Sequence, residues 1–482
     1  MIYSGLDIGT TGAKITVFNN CNELFKIYRK YPTIRQSMID EVDVNVIFNA
    51  VVEIINEAIC KENRLKFIGI TSFGETFVLL DENDQILHNA MLYDDCRGAK
   101  EVNDILKVVS SQRVGKITGL KVLPMFSLPK LLYAKKHFKD FLEVKKICLI
   151  QDYVTYMLTG VQQIDYSLAS RTMLFDINKK CRSDELFNYF GLDKDKFSRP
   201  VPTGTIAGKI NERYLNSKNI DIKIINVSHD QIAAAVGAGL NEIGSAIDGT
   251  GTCECLIPLL KKVPDNKDIY EGGFGVIPYF KQGFYVSYPL IFSGGALIEW
   301  FVKNNPINNK NMNDYDYYES NMSDMPSNLL VYPHFLGSGT PLMNPNSKGL
   351  IYGLTVSTNK FDIYKGCLEG VAYEMLYNIE IFEKCGIKIN KLYATGGGAN
   401  NKKWLQIKAD ILNVPIIEVL NHDAGTVGTA IIVGLSIGLF KTYKEASKKL
   451  IKYGVTYMPD QEKHSLYNKL YEDYKRIYKI LK

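Results

Sequence analysis

The chain has 482 residues, of which 46% are hydrophobic and 23% are charged, and its formal net charge is +5. These values are typical of a globular protein with two domains, because one ordinary core does not serve a chain of this length. The weak charge, from 57 basic and 52 acidic residues, argues against a protein that binds nucleic acid or an acidic membrane.

The cysteines and the terminal segment favour a cytoplasmic protein. Nine cysteines are scattered along the chain, and the close pair Cys253 and Cys255 has no second pair or histidine at zinc spacing. We therefore expect reduced, mostly buried thiols. The N-terminal segment lacks the basic and apolar regions of a secretion signal. The apolar stretch 430–440 is too short to span a bilayer and is predicted to be a buried helix.

The chain reads as mixed α/β from its beginning. Apolar residues predict strands over 2–6 and 15–18, on either side of a glycine-rich turn. Residues 42–60 have helical spacing of apolar positions, and 67–70 and 77–80 are short apolar strands. The stretch 99–158 is mainly helical. These patterns predict alternating helices and strands in the first half of the chain.

The second half of the sequence begins at a predicted domain boundary and contains one polar run. A boundary is indicated at 239–244, where an alanine-rich helical stretch ends. The Asn-rich run that starts at Lys303 is predicted to be a surface loop and not a linker between domains.

Two glycine–threonine turns carry the functional signal. The first is GLDIGTTGAK at 5–14, and the second is DGTGT at 248–252. Neither is a Walker loop or a dinucleotide fingerprint, because the GK[ST] and GxGxxG patterns are absent. Each turn carries an aspartate beside strand-like sequence. As a pair half a chain apart, they indicate two halves that face one nucleotide.

Asp7 lies inside the first turn, where a bare carboxylate would repel phosphate. A carboxylate is favourable there if it faces a cation, since Mg²⁺ commonly uses one or two carboxylates together with waters and phosphate oxygens. We therefore predict that Asp7 is a metal-side residue that acts through water.

At this point the sequence resembles the FGGY family of carbohydrate kinases, within the actin-like, RNase H-like ATPase superfamily. The resemblance covers nearly the whole chain and follows the order of the family's motifs. The matching segments are GLDIGTTGAKITVF, YDDCRG at 93–98, QDYVTYMLTG, IDYSLASRTMLFDI, VSHDQIAAAVGAG, DGTGT, PHFLGSGTPLMNPNSKGLIYGL, CLEGVAYEM and ATGGGANNKKWLQIKADILNVPI.

The resemblance implies an α/β fold of two actin-like domains, each a mixed β-sheet flanked by helices, with a cleft for ATP and substrate between them. It places an N-terminal domain at 1–243 and a C-terminal domain at 244–482. The implied activity is ATP-dependent phosphorylation of a small sugar or polyol, with ATP and Mg²⁺ as cofactors.

The resemblance also assigns roles to single residues. Asp230 matches the catalytic aspartate, the general base for the attacking hydroxyl, and its place at the start of a small-residue helix suits an ionised carboxylate. His229 is expected to be a packing neighbour, and Trp404 and Asp410 are expected to be structural. The implied ATP-binding residues are Thr10, Thr11, Lys14, Thr250, Gly251, Gly397, Gly398 and Asn401.

The segments expected to bind the substrate differ from the glycerol-kinase and xylulokinase patterns. The segment SFGET at 72–76 keeps only the glutamate of the glycerol-kinase pattern and lacks the histidine of the xylulokinase pattern. Met125 and Tyr133 replace a substrate tyrosine and a signature tryptophan. An uncharged polyol or ketose suits such a site better than a sugar phosphate or acid. The implied hydroxyl partners are Glu75, Asp95, Arg97, Asp230 and Gln231. Glu75 has an alternative structural role as the partner of an arginine such as Arg97.

Two other classes stay open on the sequence alone. One is a sugar-responsive regulator on a kinase fold without catalysis, and the other is an actin-type protein that assembles with nucleotide. The sequence does not identify the sugar or the phosphorylated hydroxyl. It also leaves the oligomeric state open, a homodimer included.

Overall fold

A computed structural model describes residues 1–36, 39–217, 221–307, 312–421 and 423–480. The chain divides into two compact units, each built from three segments. The first unit comprises Met1–Gly239, Val276–Tyr285 and Asp423–Ile451, and the second comprises Leu240–Gly275, Val286–His422 and Lys452–Lys482. The first unit therefore takes two of its segments from the C-terminal half of the sequence.

The segment Met1–Gly239 alternates strands and helices. Its strands are β1 (Ile2–Ile8), β2 (Gly12–Asn19), β3 (Asn22–Lys30), β4 (Ile34–Gln36), β5 (Ile39–Val42), β6 (Phe67–Ser72), β7 (Phe77–Leu80), β8 (Ala90–Met91), β9 (Lys146–Leu149), β10 (Gln163–Asp165), β11 (Phe175–Asp176), β12 (Cys181–Arg182), β13 (Arg199–Val201), β14 (Thr205–Lys209) and β15 (Lys223–His229). Its helices are α1 (Val44–Lys61), α2 (Ala99–Val108), α3 (Ser111–Thr118), α4 (Ser127–His137), α5 (Ile150–Thr159), α6 (Tyr166–Arg171), α7 (Asp184–Phe190) and α8 (Asp230–Gly237).

The remainder of the chain continues the same alternation. Its strands are β16 (Ser245–Thr250), β17 (Glu254–Leu260), β18 (Val276–Pro278), β19 (Tyr285–Ser287), β20 (Leu290–Ile291), β21 (Leu330–Tyr332), β22 (Leu350–Tyr352), β23 (Lys391–Thr395), β24 (Ile416–Val419) and β25 (Tyr453–Tyr457). Its helices are α9 (Lys267–Glu271), α10 (Gly295–Asn304), α11 (Asp314–Asn321), α12 (Lys360–Lys384), α13 (Lys402–Leu412), α14 (Ala424–Ser436), α15 (Tyr443–Leu450) and α16 (Gln461–Tyr478). Single-turn 3₁₀ helices lie at Phe141–Glu143, Lys194–Lys196, Glu212–Tyr214 and Gly397–Asn400.

The main sheet of the first unit has the strand order β14-β15-β6-β1-β2-β3. The predicted strands around the first turn form the antiparallel pair β1–β2, whereas β1, β6 and β15 run parallel to one another. Ile8 lies opposite Ser72, and Ser72 lies opposite His229. The carboxyl ends of these three strands therefore meet at one edge, which is where open α/β sheets place their ligands.

The apolar stretch 430–440 is confirmed as a buried helix over 430–436, where Ala430, Ile431 and Val433 are fully buried, but the helix ends at Ser436 and the rest of the stretch is not helical. This helix packs against α8 and β1 in the first unit. A Cβ atom on Gly428 would lie 1.7 Å from the carbonyl oxygen of Ala233, and one on Gly237 would lie 1.9 Å from that of Ala424. Glycine is therefore required on both helices for their backbones to approach this closely.

The sheet of the second unit contains the strand order β17-β16-β23-β24-β25. The antiparallel pair β16–β17 carries the second glycine–threonine turn, and β16, β23 and β24 run parallel. Gly249 lies opposite Thr395, so the turn after β16 and the glycine-rich segment after β23 share one edge.

Two expectations are corrected by the fold. The polar run from Lys303 includes a helix, α11, in addition to irregular chain, because Asn313 caps it by accepting a hydrogen bond from the Asp316 amide at 2.9 Å. Residues 308–311 of that run lie outside the described residues. All nine cysteines are free thiols, but only Cys148 and Cys367 are buried, so the expectation of mostly buried thiols was wrong. Over the part of the chain that the structure describes, no helix has the length and apolar character needed to cross a bilayer.

Candidate active site

Three carboxylates lie where β1, β6 and β15 end. Asp7 is in β1, Glu75 follows β6, and Asp230 is the first residue of α8 directly after β15. Their charges influence one another, since Asp7 and Glu75 both raise the pKa of Asp230. The parallel strand order, and not sequence proximity, thus brings together three acidic residues of which the first and last are 223 positions apart.

Asp230 is a partly exposed carboxylate at the start of α8. Its Oδ1 accepts a hydrogen bond from the backbone N–H of Gln231 at 2.6 Å, and 30% of the side chain is exposed. Burial, with the nearby charges of Asp7 and Glu75, raises the pKa of Asp230 to about 8. A carboxylate with a raised pKa at the start of a helix can take up a proton near neutral pH.

His229, the neighbour of Asp230, is built into the interior. Its backbone N–H donates to Ser167 Oγ at 2.9 Å, and the residue is only 6% exposed. Burial, with the nearby Arg171 charge, holds the pKa of His229 well below its usual range. A neutral, enclosed imidazole agrees with the expected packing role.

Asp7 and Lys14 lie opposite each other on the first hairpin. The Lys14 ammonium is 2.5 Å from Asp423 Oδ2, in the segment that the first unit takes from the C-terminal half. Burial raises the pKa of Asp7 to about 6, an effect that Lys14 opposes and Asp423 reinforces. Asp7 is thus a partly buried carboxylate in a site with an excess of negative charge.

The first turn presents Thr10 and Thr11 at the surface. It is closed by a hydrogen bond of 3.0 Å from the Gly9 N–H to the Gly12 carbonyl, and Tyr31 donates through its hydroxyl to the Gly9 carbonyl. Thr10 is partly exposed and Thr11 is exposed. Both residues are therefore accessible to a ligand.

Glu75 is paired with an arginine that sequence reasoning missed. Both residues are buried, and the Arg171 guanidinium contacts Glu75 Oε1 through two of its nitrogens. Arg171 also lies over the Phe126 ring, with 4.9 Å between the guanidinium carbon and the ring centroid. The partner is thus Arg171 and not Arg97. The available signal was the arginine in the motif IDYSLASRTMLFDI, which carried no assigned role.

Gly74 makes room for this arrangement. A Cβ atom at this position would lie 3.0 Å from Arg171 Cγ and 3.0 Å from His229 Cδ2, so only glycine leaves both side chains undisturbed. Glu75 itself has a positive φ of 63°, which is uncommon for a residue with a side chain. Backbone strain of this kind clusters at functional sites.

Asp95 and Arg97 mainly satisfy each other. Asp95 Oδ1 accepts from the Arg97 backbone N–H and from Nε, each at 3.0 Å, and Oδ2 accepts from Arg97 at 2.7 Å and from the Asp40 N–H at 3.0 Å. Arg97 also donates to Glu41 at 2.5 Å. Although burial opposes it, these hydrogen bonds lower the pKa of Asp95. The pair orders its own loop, whereas the Gln231 side chain is exposed beside Asp230.

The second unit contains a cavity of about 490 Å³ at the edge shared by β16 and β23. Its walls combine the second glycine–threonine turn and the glycine-rich segment after β23 with residues of α10, α11 and the start of α13. The lining residues are Thr250, Gly251, Thr252, Gly295, Ile298, Glu299, Asn313, Tyr315, Asp316, Glu319, Gly397, Gly398, Asn400, Asn401 and Trp404. Five of the predicted ATP-binding residues therefore line one cavity large enough for a nucleoside.

The predicted adenosine motif has mixed roles within this cavity. Gly397 and Gly398 expose backbone, and Asn401 caps α13 by accepting from the Trp404 N–H at 2.8 Å. The Trp404 indole donates to the Leu368 carbonyl at 3.0 Å. Asp410 accepts from the Asp460 N–H at 2.9 Å, in keeping with the structural role expected of it.

Sequence reasoning missed the part of the cavity that α10 and α11 supply. Gly295 begins α10 and its N–H donates to the Gly251 carbonyl at 2.9 Å, while Tyr315 and Glu319 come from α11. The glycine pair before ALIEW was a signal for a helix start near a turn. The polar composition of the run from Lys303 indicated a loop and gave no signal for the helix α11.

The acidic residues of the first unit suit a divalent cation. Among the residues that the structure describes, no group of three His, Cys, Asp or Glu side chains is arranged to hold a metal ion. Mg²⁺ does not need such a cage, because it keeps waters and uses one or two carboxylates with substrate phosphates. Burial is the main cause of the raised pKa values of Asp7 and Asp230, and a cation beside them would favour the ionised carboxylates.

Comparisons with known proteins match both parts of the chain. The sequence models of the FGGY family of carbohydrate kinases match residues 2–237 (N-terminal domain) and 245–437 (C-terminal domain). The chain is 28% identical over 487 residues to the xylulose kinase of Staphylococcus xylosus, covering 98% of this chain and 99% of that protein.

Solved structures share the fold. One is a ligand-bound xylulose kinase from Lactobacillus acidophilus, with a TM-score of 0.91, 22% identity, and coverage of 100% of this chain and 98% of that one. Another is Plasmodium falciparum glycerol kinase with ADP, with a TM-score of 0.89, 20% identity, and coverage of 98% and 97%. These likenesses confirm the expected α/β two-domain, actin-like fold.

Proposed function

The chain belongs to the FGGY family of carbohydrate kinases, and on that premise we propose that it transfers the γ-phosphate of ATP to a hydroxyl group of an uncharged small sugar or polyol, with Asp230 as general base. The observation that carries this proposal is the position of Asp230. It opens α8 at the edge where Asp7 and Glu75 also lie, and its pKa is raised to about 8. A base whose pKa lies near the working pH transfers protons most effectively.

The charges around the three carboxylates favour a neutral substrate. Arg171 is paired with Glu75, and Arg97 with Asp95 and Glu41. The fully buried Lys130 donates to the Leu92 carbonyl at 2.7 Å. These three cations are already engaged, so a carboxylate or phosphate on the substrate would add repulsion without gaining an ion pair. Sugar hydroxyls, in contrast, donate to carboxylates.

Glu75 and Asp230 are the proposed hydroxyl partners. Both contacts from Arg171 go to Glu75 Oε1, which leaves Oε2 to accept a hydrogen bond from the substrate. Asp230 takes the proton as the substrate oxygen attacks the γ-phosphorus and the bond to the β,γ-bridging oxygen breaks. Asp95 and Arg97 support this arrangement by ordering the loop beside it, and Gln231 is available at the same helix start.

The nucleotide side uses mostly backbone. Gly251, Gly397 and Gly398 present main chain to the cavity of the second unit, where ATP is proposed to bind with its base and ribose at Gly397 and Gly398 and its phosphates at the turn that contains Gly251. Thr10, Thr11 and Lys14 are the proposed phosphate contacts of the first turn. This division suits phosphoryl transfer, which depends mainly on positioning and on neutralising charge.

Asp7 is the residue that would hold Mg²⁺ through water. The bound ion would supply neutralisation of the phosphate oxygens. ADP release measured against Mg²⁺ concentration tests the assignment, and Asp7→Asn is expected to need a higher half-saturating concentration. Superimposable curves for the two proteins would remove Asp7 from the metal site.

A screen of ADP release identifies the substrate. The panel contains glycerol and larger polyols, pentuloses, hexuloses, aldoses, a sugar acid and a sugar phosphate, each with ATP and Mg²⁺. We expect a neutral ketose or polyol to stimulate release most. Asp230→Asn should lower that stimulated rate by about two to four orders of magnitude while ADP affinity stays close to that of the unchanged protein.

Other outcomes of the screen would contradict the proposal. Preference for the acid or the phosphate would overturn the neutral-substrate assignment, and full activity of Asp230→Asn would remove its role as base. Sugar binding without any stimulated turnover would favour a regulator. ATP-dependent light scattering without sugar turnover would favour an assembling protein.

A further inference from the structure

A buried lysine lies directly behind the nucleotide cavity of the second unit. Lys408 is in α13, one turn beyond Trp404, and its side chain has no exposed surface. Its ammonium is 2.9 and 3.0 Å from the two carboxylate oxygens of Asp248, 2.9 Å from Thr250 Oγ1 and 2.8 Å from Glu254 Oε1. One side chain therefore holds three residues of the β16–β17 hairpin.

These contacts lie at the base of the second glycine–threonine turn. Thr250 and Glu254 are the last residues paired across the hairpin, and the Thr250 hydroxyl donates to Glu254 Oε1 at 2.8 Å. Residues 251–253 form the turn itself, and Gly251 and Thr252 line the cavity. Any movement of the Thr250–Glu254 pair would therefore be carried directly to the turn.

The same lysine connects the turn to another wall of the cavity. Its ammonium lies 4.4 Å from the centroid of the Trp404 ring, and Trp404 lines the cavity together with Gly251. Lys408 is thus in contact with both the proposed phosphate turn and the proposed adenosine helix.

The cluster contains two carboxylates and one ammonium group. Burial and the neighbouring Asp248 raise the pKa of Glu254 well above its usual range, while Lys408 lowers the pKa of Asp248 despite burial. Asp248 and Lys408 form a buried ion pair. Such pairs contribute little net stability because desolvation offsets their attraction. What this pair does provide is a defined geometry.

We propose that Lys408 is a positioning residue for the nucleotide, holding the second turn in the shape that presents Gly251 and Thr252 to the phosphates. This inference rests on the proposed function in placing ATP in the cavity. The Thr250 hydroxyl donates to Glu254 and accepts from Lys408, so it serves this cluster, and the backbone of the turn provides the phosphate contacts.

The double variant Lys408→Met/Asp248→Asn tests the proposal without leaving an unpaired buried charge. Calorimetric titration with ADP alone, in the absence of sugar, is expected to give a Kd at least tenfold higher than that of the unchanged protein. The melting temperature of the unliganded variant is expected to stay within a few degrees. ADP is used because the result does not depend on sugar turnover.

Lys365→Met is the matched control. Lys365 is also a buried lysine of the second unit, and it donates to the Ser323 and Met325 carbonyls at 2.7 and 2.6 Å, with Glu369 3.8 Å away. None of these three partners of Lys365 lines the cavity. We expect this variant to lose stability without a change in the Kd for ADP.

An unchanged Kd in the double variant would overturn the proposal and leave Lys408 a purely structural residue. Equal weakening in Lys365→Met would overturn it as well, because the loss would then follow from general destabilisation. If the double variant does not fold, Lys408→Gln is titrated with ADP in its place. A raised Kd then supports the proposal, and an unchanged Kd overturns it. Absence of sugar-dependent turnover in the unchanged protein would instead contradict the proposed function, while tight ADP binding would keep this test intact.

Discussion

The environment of Asp230 determines both the pKa of its carboxyl group and the effect of that group on the stability of the fold. Burial and two neighbouring carboxylates raise its pKa from 3.8 to about 8. A proton acceptor near neutral pH is useful in catalysis. The same environment makes the ionised form unfavourable in the unliganded protein, so function and stability oppose each other at this residue.

The stability of the unliganded protein should therefore depend on Asp230 in a pH-dependent way. Between about pH 4 and pH 8 the folded state holds a proton that the unfolded chain has lost, so stability falls as pH rises. Asp230→Asn is expected to add about 1–3 kcal/mol of unfolding free energy near pH 8, discounted because 30% of the side chain is exposed. The gain should shrink towards zero near pH 4.

Thermal or denaturant unfolding without nucleotide and metal, at the two ends of that range, measures this difference. The unchanged protein, unfolded at the same two pH values, is the reference for the variant. A stability gain that is the same at both ends, or a loss at pH 8, would show that the Asp230 carboxylate is not destabilised by its surroundings.

Glu75 has two roles that substitutions can separate. Glu75→Ala leaves Arg171 buried without its partner and should cost about 3–5 kcal/mol of stability. The double variant Glu75→Ala/Arg171→Met removes both charges and should recover most of that loss. If Glu75 also binds the substrate, the sugar KM stays at least tenfold raised in the double variant, whereas the ATP KM changes less, because the lost acceptor serves the sugar.

Melting curves beside separate sugar and ATP titrations make this measurement. Glu75→Gln is the milder companion, since one acceptor oxygen survives. A double variant with normal stability and a normal sugar KM would show that Glu75 serves only as the partner of Arg171.

At the scale of elements, the crossing of α8 and α14 controls the position of the proposed base. Gly428 and Gly237 allow the two backbones to meet, and α8 begins with Asp230. The atoms that a Cβ would meet at Gly428 belong to the backbone of Ala233, so no side-chain rotation can relieve the clash. The two helices would have to separate, and Asp230 would move with α8.

Gly428→Ala is therefore expected to lower stability by about 1–3 kcal/mol or more through overpacking. Turnover should fall by more than about tenfold in the protein that remains folded, because small displacements of a catalytic group are costly. The control is Gly425→Ala in the same helix, where a Cβ would meet only the carboxylates of Asp7 and Asp423 at 3.7 and 3.9 Å, ordinary contacts.

Thermal unfolding of both variants separates the crossing from a general effect of alanine in this helix. The Gly425 variant should keep or slightly raise its melting temperature, since alanine is the better helix former. Equal stability of the two variants would mean that the helices can adjust without cost.

At the scale of the whole molecule, the order of the sequence and the order of the fold differ. The first unit includes Asp423–Ile451, although the preceding residues belong to the second unit. Helix α14 covers β1 and packs against α8. Its nearly continuous apolar sequence reflects burial on several sides.

A fragment of residues 1–239 should therefore fail to unfold cooperatively on heating, because the surface that α14 covers would be exposed to water. The same fragment extended by a flexible linker and residues 423–451 should regain a sharper transition, and the full chain provides the reference. Circular dichroism melting measures all three. A cooperative transition of the 1–239 fragment by itself would contradict this expectation.

Local patterns in the sequence predict the secondary-structure elements and the residue types of the site. The period of apolar residues predicted the strands on both sides of the first turn, the helix at 42–60 and the buried helix at 430–440. The structure confirms both strands and the first helix, and it confirms the last helix over 430–436. Such patterns are readable because they depend on residues a few positions apart. The order of motifs also indicated the family, since it too is a property of the linear chain.

The sequence patterns do not reveal which distant residues become partners. Arg171 lies beside Glu75, Lys408 beside Asp248 and Gly428 of α14 beside Ala233 of α8, and these pairs are 96, 160 and 195 positions apart in the sequence. No periodicity encodes such pairings, because they depend on where strands and helices pack after they form. The local sequence sets which side chains are present, and packing determines which charged groups lie beside them.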